Sequence, residues 1–64
     1  MMTVTLPTTD RAIFIIYDVL GRILKQQTGN KERQQIKIND LPNGIYFLNV
    51  EQNGKIAGAK FSKN

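Results

Sequence analysis

The sequence contains no cysteine and no histidine. Without cysteine it can form no disulfide, and without either residue it can build none of the usual zinc sites. The missing histidine also removes the commonest general base and metal ligand. Ser62 is the lone serine, and no base accompanies it. The carboxylates Asp10, Asp18, Glu32, Asp40 and Glu51 fall in different turns and strands. Asp18 and Asp40 read as turn formers rather than as an acid–base pair. Calcium would need oxygen ligands at close alternating spacing, and there are none. The glycines Gly21, Gly29, Gly44, Gly54 and Gly58 are isolated, so no phosphate-cradling loop is present. These absences argue against an enzyme and imply no metal and no cofactor.

Long apolar runs are also lacking. The longest, Ala12 to Tyr17, is far too short to cross a bilayer, so no membrane insertion is expected. Met1 to Pro7 has no basic start followed by an apolar core and does not read as a secretory signal. The chain has 64 residues, enough for a single domain. A domain of this size buries only about 60% of the surface its unfolded chain exposes. With no disulfide or metal to help, a closed sandwich or association with another copy must supply the stability. The formal charge is +4 and the pI about 9.8. The basic residues are spread from Arg11 to Lys63 rather than gathered as in a nucleic-acid binder, which suits a solvated basic surface.

What the sequence does have is turns joined to strands. Leu41-Pro42-Asn43-Gly44 reads as a β-turn, with proline setting φ at the second position and glycine at the fourth. Ile45 to Val50 follows as the best strand in the chain. Alternation assigns Tyr46, Leu48 and Val50 to one side and Ile45, Phe47 and Asn49 to the other. Asn53-Gly54 then predicts a tight type I′ hairpin. That loop fixes the register: Val50 faces Ala57, Leu48 faces Ala59 and Tyr46 faces Phe61, an entirely apolar or aromatic side. Glu51 with Ile56, Asn49 with Gly58, Phe47 with Lys60 and Ile45 with Ser62 make a mixed side.

Four further strands are expected. Thr3 to Leu6 is short and stopped by Pro7. Ala12 to Tyr17 is apolar on both sides and six residues long, a strand rather than a helix, and central in its sheet. Asp18-Val19-Leu20-Gly21 predicts a type I turn, in which Asp18 bonds the backbone two residues on and Gly21 takes a positive φ. The chain returns from Arg22 to Gln27, passes a polar loop around Gly29-Asn30, and alternates again over Gln35 to Asn39, with Ile36 and Ile38 inward and Lys37 in water. Short strands at regular spacing predict an all-β fold, a small antiparallel immunoglobulin-like β-sandwich of about six strands. In such sandwiches a tyrosine can clamp a corner through its hydroxyl. Tyr46 is placed to reach a backbone group between Asn39 and Leu41, or else to leave its hydroxyl in water.

Three segments carry a family resemblance: Ile16-Tyr17-Asp18-Val19-Leu20-Gly21-Arg22, then Asp40-Leu41-Pro42-Asn43-Gly44-Ile45-Tyr46-Phe47-Leu48, then Asn53-Gly54-Lys55 with Lys60-Phe61-Ser62-Lys63. In this order they resemble the type A C-terminal sorting domain of the type IX (Por) secretion system of Bacteroidetes, from about Val4 to the end. The resemblance implies an immunoglobulin-like domain with no activity of its own. It implies that the domain addresses a cargo protein, already in the periplasm, to the outer-membrane translocon. A cell-surface sortase then removes it, and the cargo is released or joined to an anionic lipopolysaccharide.

By position the family pattern falls on Tyr17, Asp18, Gly21 and Arg22, on Leu41, Pro42, Gly44 and Tyr46, on the hairpin tip Asn53 and Gly54, and on Lys60 and Lys63. Most have structural roles. Lys60, Phe61 and Lys63 are the residues expected to be read by the machinery, the lysines serving equally well as charge protection of an edge strand. The family opens with an Asn-Pro segment and one more strand before Val4, where this sequence has Met1-Met2. Residues 1–64 are therefore expected to be one sorting domain lacking its first strand, with an open sheet edge that favours a homodimer or strand exchange. Two other readings compete: a small basic β-barrel that binds nucleic acid, with Phe47 beside Lys60 stacking a base, and a generic immunoglobulin-like interaction module.

Overall fold

The computed structural model describes residues 2–64. Among them are six β-strands and no helix: β1 (Met2–Thr5), β2 (Ala12–Tyr17), β3 (Ile23–Gly29), β4 (Arg33–Ile36), β5 (Gly44–Gln52) and β6 (Lys55–Lys63). They form a four-stranded sheet in the order β3-β2-β5-β6 and a two-stranded sheet of β1 and β4, every pairing antiparallel. The architecture is the immunoglobulin-like sandwich read from the sequence.

β2 and β5 make the centre. Phe14 lies opposite Val50 and Ile16 opposite Leu48. Ala12, Phe14 and Ile16 from β2 are buried with Tyr46 and Leu48 from β5, Ile36 from β4, and Leu6 and Leu41 from the connecting segments. Met2, Val4, Ile38, Val50 and Phe61 pack against them. Phe14 and Ile16 are 1% exposed, and burying a side chain of that kind contributes about 1.5–3 kcal/mol. No described polar or charged residue is buried, so the core carries no desolvation cost from one.

The β5–β6 register is the predicted one at every pair from Gly44 with Lys63 to Gln52 with Lys55. Asn53 at φ 55° and Gly54 at φ 76° both lie in the left-handed region, as a type I′ turn demands. The Asp18 turn also holds. The Gly21 N–H donates to the Asp18 carbonyl at 3.0 Å, the Leu20 N–H donates to Asp18 Oδ1 at 2.9 Å, and Gly21 takes φ 81°.

Four boundaries differ from the sequence reading, each because pairing with a distant strand decides where a strand stops. β1 ends at Thr5, yet Leu6 stays buried and donates its N–H to the Glu32 carbonyl at 2.7 Å. β3 runs on to Gly29 because Ile13 and Ala12 pair with Thr28 and Gly29. β4 lies over Arg33–Ile36 rather than Gln35 to Asn39, since its partner β1 pairs Met2 with Ile36 and Thr5 with Arg33. Ile36 is buried and Ile38 partly so, with Lys37 exposed, although the chain has left the ladder by then. The hydrogen-bonded turn before β5 comes earlier than Leu41-Pro42-Asn43-Gly44. It is closed by the Leu41 N–H on the Ile38 carbonyl at 3.0 Å, with Asn39 and Asp40 at its centre.

A two-stranded sheet cannot cover a four-stranded one. Ala57 and Ala59 of β6 lie on the core side, opposite Val50 and Leu48, yet both are exposed. The groove above them has a volume of about 740 Å³ and is walled on the far side by Val4, Leu6 and Pro7. The free edges of β1 and β6 both border it.

An alanine built at Gly54 meets no atom within 4 Å, so Gly54→Ala tests the backbone alone. A left-handed alanine costs about 1–2 kcal/mol, and the urea midpoint is expected to fall accordingly. An unchanged midpoint would mean that the tip does not hold the register.

Candidate recognition surface

The ladder gathers most of the singled-out residues at one end of the large sheet. Tyr17, at the end of β2, lies between Ile23 of β3 and Phe47 of β5. Gly44, at the start of β5, lies opposite Lys63 near the end of β6. The Asp18-to-Arg22 turn, the Leu41-to-Tyr46 segment and the Lys60-to-Lys63 tail therefore meet there. Asn53 and Gly54 are at the opposite end.

Most motif residues at this end have a structural partner. Asp18 closes its turn through Oδ1, which also accepts the Arg22 N–H at 3.0 Å. Its Oδ2 takes the Arg22 Nε at 2.6 Å, an ion pair in which the aspartate is 13% exposed and the arginine 71%. The Arg22 N–H holds the Asp18 carboxyl below its usual range; with help from the Arg22 side chain and the Leu20 N–H it outweighs the opposing effect of desolvation. Lys25 in β3 reaches Asp40 at 2.9 Å, and that hydrogen bond lowers the Asp40 carboxyl likewise. Leu41 is buried.

Tyr46 does bond the backbone at the corner. Its hydroxyl donates to the Pro42 carbonyl, not to a group between Asn39 and Leu41. The displacement follows from the earlier turn: Asn39 and Asp40 are already folded back, and Pro42 is the carbonyl left over the ring.

Lys60, Phe61 and Lys63 sit differently from one another. Lys60 is exposed on the outward side beside Phe47. Phe61 is half-buried and stacks on Tyr46 with ring centroids 5.6 Å apart. Lys63 points to the core side, where its ammonium donates to the carbonyls of Asn39 at 3.2 Å and Leu41 at 2.5 Å. The strand's last lysine thus caps the turn that Tyr46 clamps.

Other contacts were beyond reach of the sequence. Gln52 Nε2 donates to the Asp10 carbonyl at 2.7 Å and Asn53 Nδ2 to Asp10 Oδ2 at 2.9 Å. These tie the hairpin tip to the loop before β2, across more than forty residues. The Arg22–Asp18 pair had a signal, a base just past a turn-forming aspartate. Tyr17 beside Phe47 had none, because the β2–β5 register is long-range.

Chemically the surface offers hydrogen bonds, apolar area and positive charge. Among the described residues no cluster of carboxylates could hold a metal ion. The arrangement is that of a body to be recognised.

A family model described as the secretion system C-terminal sorting domain matches residues 1–64, the whole chain. The chain belongs to that family. It is a C-terminal sorting signal for type IX secretion, and it takes a larger cargo protein to the cell surface or out of the cell. A sorting signal works by engaging the secretion system and is not known to be catalytic. The match supports this reading over a nucleic-acid-binding barrel or a generic interaction module. Comparison with curated proteins and with solved structures returned no match.

The sorting domain's acid sensitivity follows from its two lowered carboxyls. Stability from Asp18 and Asp40 is full above their ordinary value of 3.8 and is lost as the pH falls through their lower folded-state values. The contribution of these two groups to the melting temperature is expected to fall progressively as the pH drops through 3.8 and below. Asp18→Asn with Asp40→Asn is expected to flatten that fall. A double variant with an undiminished acid limb would show that other groups are responsible.

Proposed function

We propose that this sorting domain is presented in the periplasm to the outer-membrane translocon, and that a cell-surface sortase removes it after passage. It acts as a ligand with no activity of its own, and Lys60, Phe61 and Lys63 are the residues read. The observation that carries this reading is the position of β6. It is an edge strand of nine residues, paired on one side only, and its last turn of sequence carries two lysines around an aromatic ring. An edge strand can be read through its free backbone groups as well as its side chains.

The test is a fusion of the chain to the C-terminus of a periplasmic reporter in a type IX-competent cell. The reporter is expected at the surface, and deletion of residues 60–64 is expected to trap it inside. Equal surface display of the two fusions would refute the role of this tail.

We further propose that the groove between β1 and β6 accepts one more strand, and that two copies associate through these edges when it is empty. The apolar walls and the exposed Ala57 and Ala59 support this. Sedimentation of the purified chain is expected to give a dimer whose fraction grows with concentration. Monomer alone at the highest concentration would refute the association.

A further inference from the structure

The large sheet has a second broad side, facing away from the core. The outer sides of sandwiches are ordinarily polar. Here β2 contributes Ile13, Ile15 and Tyr17, and β5 contributes Ile45 and Phe47. Toward the motif end these gather into a cluster. Ile23 and Phe47 flank Tyr17 across the ladder, and Ile45 follows two residues before Phe47. Ile23 is 58% exposed, Ile45 45% and Phe47 38%. Val19 and Leu20, on the adjoining turn, are more exposed still. Single apolar residues at a surface need no explanation, but a contiguous group of this kind marks a contact surface.

Charge says what kind of surface fits it. One base rims the cluster without an ion-pair partner among the described residues: Lys60, across the ladder from Phe47. Arg22, on the turn beside Ile23, is paired with Asp18. The acid at this end, Asp18, is already bound to Arg22 and to the Leu20 and Arg22 N–H groups. Glu51 lies at the far end of the same side, opposite Ile56. The rim is therefore basic where the apolar cluster is. Nucleic acid fits poorly, because a single free basic side chain answers few phosphates and half of the cluster is aliphatic.

We propose that Tyr17, Ile23, Ile45 and Phe47, rimmed by Lys60, form a docking surface for an apolar protein patch with an acidic residue at its edge, carried by the export machinery. The proposal rests on the export reading above and adds the outer side of the sheet to the strand's terminus as a recognised surface. The two aromatic rings supply most of the affinity, and Lys60 orients the approach.

The experiment uses the reporter fusion with Phe47→Ser, Lys60→Glu and, at the far end, Ile56→Ser, each domain also purified and unfolded in urea. The first two variants are expected to keep the wild-type cooperative transition and to lower surface display at least about tenfold, while Ile56→Ser displays normally. Ile23→Ser, at a more exposed position outside the tail, is expected to lower display likewise and keeps the test decisive if Phe47→Ser fails to fold. If Phe47→Ser and Ile23→Ser display like wild type while deletion of residues 60–64 blocks display, the docking surface is overturned and the export reading stands. If the wild-type fusion itself stays inside, the export reading falls first. Binding of the purified chain to a short oligothymidylate or to anionic phosphatidylglycerol vesicles, abolished by Phe47→Ser, would assign the surface to that ligand and overturn the proposal.

Discussion

The fold depends on the pairing of β2 with β5. It alone joins the β2–β3 hairpin to the β5–β6 hairpin, and it places Phe14, Ile16, Tyr46 and Leu48 in one apolar layer. Everything else hangs on that layer. The small sheet contributes Ile36 to it, and the corner is held down by Leu41 beneath and by the Tyr46 hydroxyl above. A domain of this size has little stability to spare. The absence of buried polar groups among the described residues and the double clamp of the corner by Tyr46 and Lys63 stand in for the disulfide it cannot form.

Local chemistry was legible where a residue type has one conformational use. Asn53-Gly54 read as a type I′ tip because both positions need positive φ, and that tip dictated the whole β5–β6 register. Asp18 and Gly21 read as a turn for the same kind of reason. The apolar run of β2 announced a central strand, and β2 lies between β3 and β5. Strand ends were less legible. Thr28 and Gly29 look like loop residues and become strand only because Ile13 and Ala12 lie opposite them.

The recognition surface was half legible. The order of the motifs named the family, but their convergence at one end of the sheet is a product of the β2–β5 register. Lys63, counted from sequence as an accessible charge, turns out to hold the carbonyls of Asn39 and Leu41. Lys60 remains free of such duty in its outward position beside Phe47. The alternation that sorted β5 into a core side and a mixed side could not show that its mixed side adjoins Tyr17 and Ile23.

The same pairing governs the tempo of folding. The two hairpins close over short loops, but Phe14 must find Val50 across the intervening middle of the chain. Contacts that far apart in sequence require a long loop to close before they yield any burial, and such topologies assemble slowly. Until they do, β2 is an uncovered apolar strand with a vacant edge, the kind of segment that draws neighbouring chains together. The label is thus most vulnerable in the interval before its two halves meet.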